Sequence, residues 1–104
     1  MLTRHYDSYV SHAVRYYARI TLWHRPRNPR FRNKADQENW EACDTVIRSY
    51  PEEQRRILLV IHRGGDTIPD NVYAYCEEHG VQQEVVWALI RDMRDKIAKR
   101  RGLV

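Results

Sequence analysis

One tight corner constrains this chain more than any other feature. His79-Gly80-Val81 separates two apolar patterns of helical spacing, and the second pattern runs on into a basic stretch ending Lys99-Arg100-Arg101-Gly102. A short, glycine-pivoted corner between a small helix and a longer one is the outline of a helix-turn-helix, a unit that many proteins use to present one helix to a DNA groove.

The remaining punctuation divides the chain into further helices. Residues 3–22 are read as an amphipathic helix, with Tyr6, Tyr9, Ala13, Tyr16 or Tyr17, and Ile20 at helical spacing, and with Arg4, Ser8, Ser11, Arg15 and Arg19 on the opposite, basic face. Pro26 and Pro29 remove backbone donors and make 23–34 a loop or arm. A second helix is expected to start with Asp36 as its N-cap and to carry Trp40, Cys43, Val46 and Ile47 inward as far as about Arg48. Ser49-Tyr50-Pro51-Glu52 has the capping-box pattern and predicts a central buried helix through Ile57-Leu58-Leu59-Val60-Ile61, ended by Gly64-Gly65. Thr67-Ile68-Pro69-Asp70 repeats that capping logic for a short fourth helix offering Val72, Tyr73, Tyr75 and Cys76 for packing. The fifth helix, about 82–101, buries Val86, Leu89 or Ile90, Met93 and Ile97 as one stripe, with Val81 placed to staple against Val86.

A length of 104 residues suits one domain with a single core. No window reaches the ~18 apolar residues of a membrane span, and a cytoplasmic protein is expected. Cys43 and Cys76 lie inside helical patterns, where cysteine behaves as a small buried hydrophobe. Charge is distributed unevenly along the chain. Residues 1–35 hold eight Arg/Lys against one acid, Asp7, whereas residues 36–104 hold ten against thirteen; within the latter, 81–104 return to a net +3. Basic character is concentrated at the two chain ends.

Around the corner, a small residue four before the glycine lets the helices approach and apolar residues after it lock their angle; Cys76, Gly80, Val81, Val86 and Leu89 meet those demands. Two positions depart from the pattern. His79 stands where leucine is common, and Gln82 where Ser or Thr would cap better. The segment 51–104 resembles the fourth region of sigma-70-like factors and the small phage transcriptional activators of the ArpU/RinA type. The residues that carry the resemblance are Arg56-Ile57-Leu58-Leu59-Val60, His79-Gly80-Val81 and Ile97-Ala98-Lys99-Arg100-Arg101-Gly102-Leu103. It implies DNA binding in transcriptional regulation, of phage or mobile-element type, without naming a promoter.

On that resemblance the groove-facing side of the fifth helix is Gln82, Gln83, Glu84, Trp87, Ala88 and Arg91, with Arg94 one turn on. Glutamine pairs with adenine and arginine with guanine or phosphate. Trp87, off the Val86/Met93/Ile97 stripe, is expected to pack on the first or second helix. Lys99, Arg100 and Arg101 are assigned to phosphates. So is the arm of Arg25, Arg27, Arg30, Arg32 and Lys34, which with the Arg4/Arg15/Arg19 face offers one electropositive surface.

Chemical motifs are weak elsewhere. Cys76 and His79 stand one helical turn apart with no second ligand pair, His5 and His12 have no carboxylate companion, and no phosphate loop or nucleophile elbow occurs. The reading is a non-enzyme without metal or cofactor, all-α, of about five helices in an orthogonal bundle with a C-terminal helix-turn-helix. The competing class is a protein-interaction module for an acidic partner such as an RNA polymerase subunit. Asp66, Asp70, Glu77 and Glu78 favour that class, since they would repel DNA. No heptad seam decides the oligomeric state, which leaves a homo-oligomer open.

Overall fold

Five helices form where the apolar spacing places them. The computed structural model describes residues 6–23 and 31–104, apart from the side chains of 22 and 23. In chain order the helices are α1 (Asp7–Trp23), α2 (Lys34–Arg48), α3 (Glu52–Arg63), α4 (Ile68–His79) and α5 (Gln83–Arg100). No strand occurs among the described residues. Helix α1 packs on α2, α3 and α5, and α5 touches all four other helices. Among the described residues α4 meets only α3 and α5, so the corner stands at one side of the bundle. No described helix is long and apolar enough to cross a membrane.

The core is one cluster fed by every helix. Val10, Val14 and Tyr17 of α1, Cys43 and Ile47 of α2, Leu58 and Ile61 of α3, Val72 of α4, and Val86, Ile90, Met93 and Ile97 of α5 are all buried. A fully buried side chain of this size contributes roughly 1.5–3 kcal/mol. The α5 stripe thus runs through Ile90, with Leu89 half-buried beside it, and Val81 packs on the same cluster. Burial also pushes the Cys43 thiol up to about 12, so it stays protonated.

Several local expectations are corrected. Along α1 and the residue just before it, the buried register is Tyr6, Val10, Ala13, Val14 and Tyr17, while Tyr9 and Tyr16 are exposed. Tyr6 and Tyr17 go inward because their hydroxyls find acceptors, Asp95 Oδ1 at 3.1 Å and Asp44 Oδ1 at 2.7 Å. The N-cap of α2 is Asn33, whose Oδ1 accepts from the Asp36 amide at 2.9 Å, so Asp36 lies inside the first turn. The Ser49 box does not form. Ser49 closes α2 instead, its Oγ donating to the Val46 carbonyl at 2.5 Å, and Pro51 starts α3 without a side-chain cap. In α3 only Leu58 and Ile61 of the apolar run are fully buried and Val60 is exposed. Tyr73 of α4 is 57% exposed. The Thr67 cap holds, with its hydroxyl accepting from the Asp70 amide at 3.2 Å.

Two glycines set the geometry around α4. Gly80 has φ +66°, and its amide and that of Val81 both donate to the Cys76 carbonyl, at 2.9 and 3.2 Å. Left-handed backbone of this kind closes a helix and is costly for any residue with a Cβ. At Gly64 a Cβ would come within 2.6 Å of the Asn71 side chain. That amide is tucked there to donate to the carbonyls of Ile61 and Asp66, at 2.9 and 3.2 Å.

His62 is wholly buried, its Nδ1–H donating to the Leu58 carbonyl at 2.8 Å. Burial, with the charges of Arg94 on α5 and Arg15 on α1, lowers its pKa from 6.5 to about 4 against the lifting effect of that hydrogen bond. Between those values the unfolded chain binds the extra proton, so stability rises with pH across this window and is lost as acid moves the pH down through it. Relative to a His62→Leu variant, urea unfolding from pH 6.5 to 4 is expected to show a loss of roughly 3 kcal/mol; parallel curves for the two proteins would refute the buried neutral imidazole. Gly80→Ala is expected to cost about 1–2 kcal/mol in the same assay at neutral pH, and an unchanged midpoint would contradict the left-handed turn.

Candidate nucleic-acid interface

The basic residues singled out from the sequence divide, once folded, into structural ties and exposed cations. Arg4, Arg25, Arg27 and Arg30 lie outside the described residues. Arg15 does not extend a basic face. Its Nη2 donates to the Gly64 carbonyl at 2.8 Å and the Asp66 carbonyl at 2.9 Å, clasping the chain where α3 ends. A guanidinium there satisfies carbonyls that a helix C-terminus leaves without partners, and it complements the helix dipole. Arg19 stays exposed on α1.

Arg101 is committed in the same way. Its Nε donates to Asn39 Oδ1 at 2.6 Å and its Nη1 to Glu38 Oε2 at 2.8 Å, across to α2. Only 19% of the side chain is exposed, so it anchors α5 on α2 instead of reaching a phosphate. The turn that follows reinforces this. Gly102 and Leu103 donate to the carbonyls of Lys99 and Ala98, at 3.2 and 2.9 Å, and Leu103 packs back on the core.

The consequence concerns the two ends of the chain. Arg32 and Lys34 stand at the start of α2, Lys99 and Arg100 at the end of α5, and the Arg101 tie brings those two helix termini together. All four are exposed. Arg32 pairs with Asp36 at 2.9 Å and Lys34 with Glu38 at 3.9 Å, whereas Lys99 and Arg100 form no ion pair among the described residues. Exposed pairs of this kind are weak and exchange readily for a phosphate. A shallow groove between α2 and α5, lined by Thr45, Ser49, Lys96, Lys99 and Arg100, continues the surface. Thr45 and Ser49 are absent from the sequence-based assignment. Their one signal is the four-residue spacing of two polar side chains beside Val46.

The corner has the opposite character. Gln82, Gln83, Glu84, Ala88 and Arg91 are exposed on the first turns of α5, as a groove-reading face requires. Gln82 occupies the N-cap position without a side-chain hydrogen bond. Trp87 is half-buried and packs on the core, and Arg94 is half-buried within electrostatic reach of His62. Residues 66–95 carry seven carboxylates and two guanidiniums, and Asp66, Asp70, Glu77, Glu78 and Glu84 are all exposed. From Gln83 to Arg100 the helix rises about 26 Å, so the acidic corner and the basic end lie at opposite ends of α5.

His79, on the corner, donates its Nδ1–H to the Tyr75 carbonyl at 3.1 Å and stacks on the Tyr75 ring at 4.1 Å. Among the described residues no three His, Cys, Asp or Glu side chains gather as a metal site needs. No protein-family model, curated protein or solved structure matches the chain. The likeness to sigma region four therefore rests on the residues that carry it. The Arg101 tie is expected to show a coupling of about 1 kcal/mol in a double-mutant cycle of Arg101→Met with Asn39→Ala, read by urea unfolding; additive effects would mean that the Arg101–Asn39 bond does not anchor α5.

Proposed function

We propose that this protein binds DNA in a transcription-regulatory role of the sigma-region-four-like kind, and that it grips the phosphate backbone with the basic end formed by Arg32, Lys34, Lys99 and Arg100. The observation that carries the reading is the bridge from Arg101 to Glu38 and Asn39, which brings the cations at the start of α2 and at the end of α5 together. Cations spaced over such a surface release condensed counterions when they meet a duplex, which supplies affinity without reading sequence. Base reading in this proposal falls to the exposed turns of α5, where Gln82, Gln83 and Arg91 carry suitable donors. Lys99 and Arg100 set register from the far end of the same helix.

A second reading, a non-enzymatic protein-interaction module, has its own support. The carboxylates of the α4–α5 corner repel phosphate and would suit a partner protein, and the basic end would suit an acidic one such as a polymerase subunit.

The two readings separate in a titration of labelled random-sequence duplex DNA, followed by fluorescence anisotropy at several salt concentrations. Binding is expected to weaken steeply with salt. Lys99→Glu/Arg100→Glu is expected to lower affinity at low salt by at least about tenfold and to reduce the slope of log K against log salt by about 2. Arg91→Glu reports separately on the corner, without disturbing the half-buried Arg94. No binding by the wild type at low salt would falsify the DNA reading and leave the interaction module.

A further inference from the structure

A cleft opens beside the basic end, between the exposed side of α1 and the start of α2. Its cavity is about 170 Å³, and its walls include Tyr9, His12, Ala13, Tyr16, Arg32 and Asn39. Sites for drug-sized ligands run to roughly 300–1,000 Å³, so this one suits a single ring system.

The cleft follows from the register of α1. Tyr9 and Tyr16 are seven residues apart, hence two turns, or about 10.5 Å along the axis. They are 46% and 37% exposed. Between them the small, buried Ala13 makes a floor where a larger side chain would fill the gap. Tyr9 is also held in place. The Asn39 amide donates to its hydroxyl at 2.9 Å, and Arg101 Nε donates to the same Asn39 side chain at 2.6 Å. The residue that closes the basic end thus also fixes one wall of the cleft. Arg32 stands on the rim with 81% of its side chain exposed, beside Asp36.

We propose that this cleft takes an unpaired base of a DNA strand whose phosphates lie on the basic end, with the base stacked on Tyr9 and Tyr16. Resting on the DNA-binding reading, the proposal specifies the form of nucleic acid that the protein prefers. Charge complementarity selects this occupant over an apolar peptide, because Arg32, one of the cations of the basic end, stands on the rim of the cleft. Stacking on tyrosine tolerates any base, and the Asn39 amide and Asp36 carboxylate add groups for a base edge. A strand that lays its backbone along cations and its bases on aromatic rings is how single-stranded nucleic acid is generally held.

The test compares three labelled DNAs by anisotropy: an oligo-dT strand, a strand of equal length made of abasic sites, and a duplex. Wild type is expected to bind oligo-dT about 5- to 150-fold more tightly than the abasic strand, the ratio for one stacked base. Tyr16→Ala, whose lost hydroxyl has no hydrogen bond among the described residues, is expected to abolish that ratio and leave abasic and duplex binding in place. Tyr16→Phe keeps the ring and should keep the ratio. Equal affinity of wild type for the two single strands would overturn the cleft and leave the phosphate grip intact. A ratio that survives in Tyr16→Ala would likewise remove the base from this cleft. Absence of binding to all three DNAs would overturn both proposals together.

Discussion

Three tyrosine hydroxyls bonded to three aspartates hold the helices in their relative positions. Tyr6, just before α1, donates to Asp95 on α5, Tyr17 on α1 to Asp44 on α2, and Tyr50, just before α3, to Asp92 on α5 at 2.5 Å. Each ring is buried apolar surface, and each bond satisfies a hydroxyl that would otherwise cost about 1–3 kcal/mol to bury. Two of these groups respond. Hydrogen bonds from Tyr50 and then Lys96 hold Asp92 below its ordinary range, while burial and the Asp44 acceptor keep the Tyr17 phenol protonated. Lys96 adds its ammonium 4.8 Å from the centre of the Tyr50 ring. These contacts join distant parts of the chain, and they determine which tyrosines face inward.

The tyrosines left outside, Tyr9 and Tyr16, are what the protein has available for a ligand. Their exposure follows from the inward register of Val10, Ala13 and Val14 on the same helix, where small side chains let α1 approach its neighbours. Packing and surface chemistry on α1 are two sides of one helical repeat. Arginine shows the same division. Arg15 and Arg101 serve backbone carbonyls and α2 side chains, and Lys99, Arg100 and Arg91 remain for solvent or a partner.

Much of the fold was legible from local pattern. The spacing of Val86, Met93 and Ile97 marks α5, Gly80 marks the corner and Thr67 the start of α4, because each of these signals acts within one or two helical turns. Where neighbouring residues offered the same chemistry, local pattern was not enough. Asn33 and Asp36 are both competent caps, and the choice went to Asn33, which starts α2 at Lys34 and puts Asp36 inside its first turn. Ser49 had two uses, and finishing α2 won over starting α3 because the Val46 carbonyl was within reach. Tyr9 and Val10 compete for the same inward position, and the location of Asp95 and Asp44 on other helices gives the buried tyrosines, Tyr6 and Tyr17, their acceptors.

The sequence by itself determined that this is an all-α chain, where its helices break, and that positive charge gathers at its two ends, since periodicity, punctuation and charge are properties of short stretches. Tertiary structure alone decided that the start of α2 meets the end of α5, that Arg15 and Arg101 are spent on holding helices, and that the glutamines of the corner stand about 26 Å from Lys99 and Arg100. The physical reason is range. An ion pair or hydrogen bond acts over a few ångströms, so which of many similar charges becomes a tie and which stays free depends on neighbours such as Glu38 and Asn39, some sixty residues away in the chain and adjacent only once α2 and α5 have packed.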